Sequence, residues 1–170
     1  QLQWKVNKQW QAHIGVETIS GADQSDPDNL NIDRGFDRHF ALLHAHLGFL
    51  DLLYVLEDPI FGIEDYYLKL SYQLNKKWSI RNHIHAFMSQ QTAFDQEDVG
   101  FDNPLTSLVG IENDFQLRFK DKEWASLDLG YSVMFGTETM DEIFGGQPID
   151  RMHFFYLVLW ISKLLVEIFL

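Results

Sequence analysis

His83 and His85 stand two residues apart, and His44 and His46 repeat that spacing with His39 and Asp51 nearby. Imidazole and carboxylate together suit zinc, so both groups are weighed as ligands. In a loop docked against polar walls, His44 and His46 would more readily hydrogen-bond those walls. His83 and His85 share a face with Arg81 and read as lining a hydrated space, so no metal site is expected. Asp141 and Glu142 are adjacent carboxylates, but neighbouring side chains in a strand or loop normally point apart. The sequence shows no Ser-His-Asp arrangement, phosphate-binding glycine loop or zinc motif. Neither catalytic residues nor a cofactor are therefore expected, and the chain is not read as an enzyme.

The remaining chemistry is charge. Lys69, Arg81 and Arg118 share a polar row with Glu17, Glu112, Asp114 and Asp128. Opposed charges across a narrow pore can select solutes by size and charge. The same groups could instead pair with one another and select nothing. With both signs present, they do not by themselves specify an anion-selective pore.

Composition bounds what can carry these residues. The chain has 170 residues, 46% of them hydrophobic, with 25 acids against 13 Lys plus Arg, a net charge of −12 and no cysteine. Such a chain folds as one domain or part of a larger one, and it is neither a disordered tail nor a disulfide scaffold. The acidic excess argues against nucleic-acid partners, which need clustered Lys and Arg. Gln1 opens no basic and apolar leader pattern, so any signal peptide is expected to have been removed or to lie outside these residues. No uninterrupted apolar run reaches the roughly 18–20 residues of a membrane helix. Phe154 to Leu170 comes close, broken by Lys163 and Glu167; taken alone it could be a buried helix or a strand.

The dominant pattern is period two, which puts successive side chains on opposite faces of a sheet. Tyr66, Leu68, Leu70, Tyr72 and Leu74 oppose Tyr67, Lys69, Ser71 and Gln73. Val109, Ile111, Phe115, Leu117 and Phe119, interrupted only by Asn113, oppose Glu112, Asp114, Gln116 and Arg118. Three further rows behave alike: Trp10 to Val16, Trp78 to Ala86, and Ala125 to Phe135.

The connections between strands alternate between two classes. Short lysine-bearing turns at 7–9, 75–77 and 120–123 each lead at once to a tryptophan: Trp10, Trp78 and Trp124. Long acidic connections run from Gly21 to about Phe61, Ala93 to Ser107 and Thr137 to Arg151. A transmembrane β-barrel has this asymmetry, with an outward apolar band, a polar interior and aromatic girdles at the interfaces. Tryptophan suits such a girdle because its ring is apolar while its N–H seeks a partner. The expected fold is therefore all-β, an antiparallel transmembrane β-barrel, with Trp10, Trp78 and Trp124 as interface aromatics. Lys69, Arg81, His83, His85, Glu112, Asp114, Arg118 and Asp128 are the expected pore-lining residues. A soluble sandwich or lipocalin-like ligand-binding barrel also alternates, but faces its apolar row inward.

Direction counting settles one segment. If Phe36 to Leu56 were a membrane strand, the turn at Asn75 would fall on the side of the acidic loops. The stretch 21–61 is therefore read as one long external loop, partly helical and either packed at the mouth or folded into the lumen, where it would narrow the passage. About seven strands remain, an odd number that predicts part of a larger barrel, since bacterial barrels normally have an even count.

The runs GVETISGADQSDP, FDRHFALLHAHLGFLD and GIEDYYLKLSYQLNKKWSI resemble the C-terminal half of the alginate-export family of outer-membrane porins, in its Bacteroidetes-type members. The matching positions are Ser20, Gly21 and Asp23; Phe36, Asp37, His44, Gly48, Phe49 and Asp51; and Gly62, Asp65, Tyr67, Leu68, Lys77 and Trp78. The likeness covers Trp10 to Ser89, with the remainder following by strand rhythm. His46 and Leu47 replace that family's Phe-Asn, and the tail lacks its Phe-Lys-Pro ending. The resemblance implies a channel of the Gram-negative outer membrane for passive passage of small solutes or saccharides. His44, His46, Gly48, Phe49 and Asp51 would then form its constriction loop. The partners implied are membrane lipid and lipopolysaccharide, the cargo, and either further copies of the chain or a larger surface complex. The rival expectation is a plugged structural or binding barrel.

Overall fold

The computed structural model describes residues 1–23, 47–50, 61–95, 100–122 and 124–161. Its strands are β1 (Leu2–Lys5), β2 (Trp10–Ile19), β3 (Ile63–Gln73), β4 (Trp78–Ser89), β5 (Leu108–Lys122), β6 (Ala125–Gly136) and β7 (Met152–Ile161). They form one antiparallel sheet in the order of the chain, each strand paired with the next. The sheet is open: β1 and β7 are its edges. No helix among the described residues is long and apolar enough to cross a membrane.

These strands form where β-branched and aromatic residues alternate with polar ones and where asparagine ends the run. Asn7 Oδ1 accepts the N–H groups of Gln9 and Trp10, both at 2.8 Å. Asn75 Oδ1 does the same for Lys77 at 2.8 Å and Trp78 at 3.1 Å. Each side chain closes its turn by supplying an acceptor within it, and so fixes where the next tryptophan emerges. At the third turn β5 continues to Lys122, which pairs with Ala125 across a bulge at Lys120 to Lys122. That hairpin is tighter than the expected loop at 120–123.

Direct pairing of β2 with β3 from Trp10↔Tyr72 to Ile19↔Ile63 leaves no room for a strand between them. The connection between these strands therefore leaves and re-enters the sheet at the same end; of the stretch read as one long loop, 24–46 and 51–60 lie outside the described residues. Residues 152–161 are strand β7, which resolves the helix-or-strand question for that part of the tail; 162–170 lie outside the described residues.

The sheet is sided. On one face Ile14, Val16, Tyr66, Ile84, Ile111, Phe115, Leu127, Leu129, Phe135, Phe155 and Leu157 are exposed. The other face buries Asp65, His85, Glu112, Asp114, Gln116, Asp128 and Ser132. Toward the long connections that second face turns apolar, where Ile63, Phe87, Val109 and Met134 pack with Leu47, Phe61, Ala93 and Met140. Burying a side chain the size of Phe87 contributes roughly 1.5–3 kcal/mol, so this cluster anchors the loop end.

Met140 comes from a short helix, α1 (Glu138–Ile143), inside what the sequence shows only as an acidic connection. Thr139 Oγ1 donates to the Thr106 carbonyl at 2.5 Å and Asp141 Oδ1 accepts the Ile149 N–H at 2.6 Å. Gly145 and Gly146, at φ +68° and +74°, turn the chain out of the helix.

Three side-chain contacts tie strands across the long connections. The ring of Tyr67 lies over its cross-strand neighbour Gly15, and that of Tyr156 over Gly130, so closely that a Cβ at either glycine would overlap the ring. Between β4 and β5, Asn82 Nδ2 donates to Asn113 Oδ1 at 3.1 Å. That bond explains how Asn113 can interrupt an otherwise apolar row.

Candidate functional site

The polar face gathers the site. Strand register brings Lys69, His83, Asp114 and Ser132 into one row across β3 to β6 and Tyr67, His85, Glu112 and Met134 into the next. Arg81 and Arg118 lie toward the short turns on the same face, with Asp128 opposite Arg118. All eight residues expected to line a pore therefore share one face. They are less wetted than expected: His85, Glu112, Asp114 and Asp128 are 1–2% exposed. Lys69, Arg81, His83 and Arg118 are half-buried. The physical reason is that Arg118 and Asp128 pair with each other, Asp65 takes up His85, and a returning segment of chain covers Glu112.

That segment is residues 47–50. Glu112 Oε1 accepts the backbone N–H groups of Phe49 at 2.7 Å and Leu50 at 2.9 Å. Gly48, at φ +83°, passes so near that a Cβ there would sit 2.5 Å from Glu112 Oε2. A side chain would be strained by that backbone and would meet the carboxylate, so glycine suits this position twice over. The Phe49 ring tilts against His83 with centroids 5.2 Å apart and meets Tyr156 edge-on at 6.1 Å. Gly48 and Phe49, two of the expected constriction residues, thus lie on the polar face. His44, His46 and Asp51 lie outside the described residues, as does His39.

Two further clusters hold the face. Arg118 meets Asp128 through two parallel bonds, Nε to Oδ1 at 2.6 Å and Nη2 to Oδ2 at 2.5 Å. Trp160 Nε1 adds a third donor to Asp128 Oδ2 at 2.9 Å. This fork geometry is the strong form of an Arg–carboxylate pair, and for these two groups it realises mutual pairing over an open transverse field. In the other cluster, His85 Nδ1 lies 2.8 and 3.0 Å from the two Asp65 oxygens. Asp65 could have been found by extending the polar row of β3 one step beyond Tyr67. Trp160 could not, because β7 is apolar on both faces and offers no alternation to read.

At the short-turn end, Trp10 packs on Tyr72 with centroids 4.5 Å apart and Trp78 on Phe119 at 4.7 Å. The Lys122 ammonium lies 5.2 Å over the Trp124 ring. Trp10 and Trp78 remain exposed on the apolar side. The three expected interface aromatics therefore gather at one end of the sheet.

No protein-family model matches this chain, and no curated protein or solved structure matches it either. The sheet presents an apolar, exposed face backed by buried charged groups, of which Asp128 is paired with Arg118 and Asp114 has no such partner, partly covered by 47–50.

Proposed function

We propose that this sheet is a sector of a transmembrane β-barrel in the Gram-negative outer membrane, forming a channel for passive passage of small solutes or saccharides. The observation that carries the reading is sidedness. Leu129 is 51% exposed while its chain neighbour Asp128 is 2% exposed. In water that arrangement leaves oily rows wet and buries charge; with hydrocarbon outside, both faces are satisfied. Strands β2 to β4, β6 and β7 are 10–12 residues long, which matches the roughly 9–11 a tilted strand needs to cross a bilayer. Closure of such a barrel requires further strands against the open edges of β1 and β7. Tryptophans at one end, acidic loops at the other and the resemblance to the alginate-export porins support the same reading. The segment 47–50 narrows the lumen, and the half-buried rings of Phe49 and Tyr156 are placed to meet a sugar.

The near-complete burial of His85, Glu112, Asp114 and Asp128 favours a second reading, a barrel plugged by its own loop that serves as a structural or binding component of a surface assembly. Reconstitution of the protein in planar lipid bilayers separates the two. Discrete, stable conductance steps are expected of the channel. Insertion without ion current would leave the plugged barrel. A protein that stays dispersed without detergent and never enters vesicles would remove both.

A further inference from the structure

We propose that His83, His85 and Asp114 form a binding site for a divalent metal of the zinc class, with Asp65 orienting His85 from behind. One potential ligand atom from each of the three residues lies within 4.8 Å of the other two. His85 is the pivot. Its Nδ1 faces both oxygens of Asp65; because a carboxylate accepts, this partner places the ring proton on Nδ1 and leaves the Nε2 lone pair free. Nε2 lies 3.9 Å from Asp114 Oδ2. Two electron-rich atoms at a distance too long for a hydrogen bond leave room for a cation to bridge them.

Two more atoms point the same way. Neither carboxylate oxygen of Asp114 has a hydrogen-bond donor, and His83 Nδ1 has no partner. Asp114 is 1% exposed, so it lacks bulk water as well as an amide, hydroxyl or cationic donor, and only the neighbouring carboxyl of Glu112 reaches it; a buried carboxylate in that state is costly. A metal ion would satisfy all three atoms at once. Bonds of about 2.0–2.1 Å at tetrahedral angles put ligand atoms roughly 3.3–3.5 Å apart, so closing around an ion needs only small side-chain shifts. Two imidazoles and one carboxylate are a borderline donor set, suited to zinc over calcium or magnesium. Carboxylate, histidine, metal is also the usual second layer of such sites. Lys69, the cross-strand neighbour of His83, opposes a cation, but its ammonium lies over the Tyr67 ring at 4.4 Å. Asp65 and Asp114 face the site with the opposite charge.

The sequence disfavours this site because it shows only a His-x-His pair beside an arginine. The third ligand comes from the neighbouring strand, and register alone brings it there. The inference does not depend on membrane insertion, since it concerns one face of the sheet.

Tag-free protein stripped with a chelator and titrated with Co²⁺ should take up one equivalent and develop the intense visible bands of a four-coordinate site, with Zn²⁺ displacing it. Asp114→Asn and His83→Gln should each weaken binding at least tenfold, with the strand signature in circular dichroism unchanged. Asp65→Asn should weaken it by roughly 10–100-fold while keeping the stoichiometry. Should a variant fail to fold, X-ray absorption of the Zn²⁺-loaded parent protein decides, and two imidazole nitrogens in the coordination shell are expected. Failure of the parent protein to bind Co²⁺ or Zn²⁺, affinity unchanged in folded Asp114→Asn, or a shell without imidazole would overturn the assignment. Water or a proton shared with Glu112 would then satisfy Asp114 instead.

Discussion

Glu112 holds Phe49 by its backbone: one carboxylate oxygen receives the N–H of Phe49 and of Leu50, across 63 and 62 residues of chain. The side chain that the sequence marks as pore-lining is thus the anchor of the segment it marks as the constriction. A hydrogen bond of this kind contributes about 0.5–1.5 kcal/mol net. Glu112→Ala removes both and should release 47–50 from the face. In planar bilayers its conductance steps should exceed those of the parent protein, while Glu112→Gln, which keeps an acceptor, should stay near it. Equal conductance in all three would show that this segment does not narrow the path.

Gly48→Ala tests the same contact from the other side. The φ of +83° and the crowding against Glu112 should together cost about 1–3 kcal/mol. Thermal unfolding should fall accordingly, and protease should cut near 47–50 faster than in the parent protein. An unchanged melting temperature would mean that the segment does not approach Glu112 in solution.

Asp128 serves two donors, Arg118 and Trp160. Asp128→Ala strands both, and with the Arg118 side chain 29% exposed the loss should be about 2–3 kcal/mol, below the full figure for a buried pair. Urea unfolding followed by tryptophan fluorescence reads it directly. The paired replacement Arg118→Met with Asp128→Leu should recover most of the loss, because it removes the charges together. If the double variant were no more stable than the single one, packing at Asp128, and not charge pairing, would set the cost.

Leu129→Arg decides what the exposed face touches. Against hydrocarbon the substitution should cost roughly 2–4 kcal/mol near the bilayer centre, and the fraction of protein that folds into vesicles should drop. Against water it would be nearly neutral, within about 0.5 kcal/mol. A variant that inserts as well as the parent protein would place that face away from lipid.

Strands and most of their facing were legible because alternation is a local property: Tyr66 to Leu74 or Ala125 to Phe135 states its own facing. Val109 departs from its row, because the register shift between Phe87 and Met88 turns it into the buried cluster while Ile111 stays exposed. The helix at Glu138–Ile143 was not, since six residues cover less than two turns and give no period to detect. The charged row was legible residue by residue, yet its pairing was not. That Arg118 meets Asp128, that His85 meets Asp65 from one side and Asp114 from the other, and that Glu112 seizes a distant loop all depend on which strands lie adjacent and in what register. Sequence alternation says which face a side chain takes, and says nothing of its neighbour across the ladder.

The tyrosine rings seated over Gly15 and Gly130 bear on how this chain finds its own partners. A tight turn dictates which residues of its two strands align, but β2 with β3 and β6 with β7 are joined by long connections that carry no such instruction. Sliding β2 along β3 by two residues would keep every facing correct while driving the side chain of His13 or Glu17 into the space the Tyr67 ring occupies. The bare notch and the ring that fills it therefore act as a key, admitting one alignment and rejecting its nearest competitors.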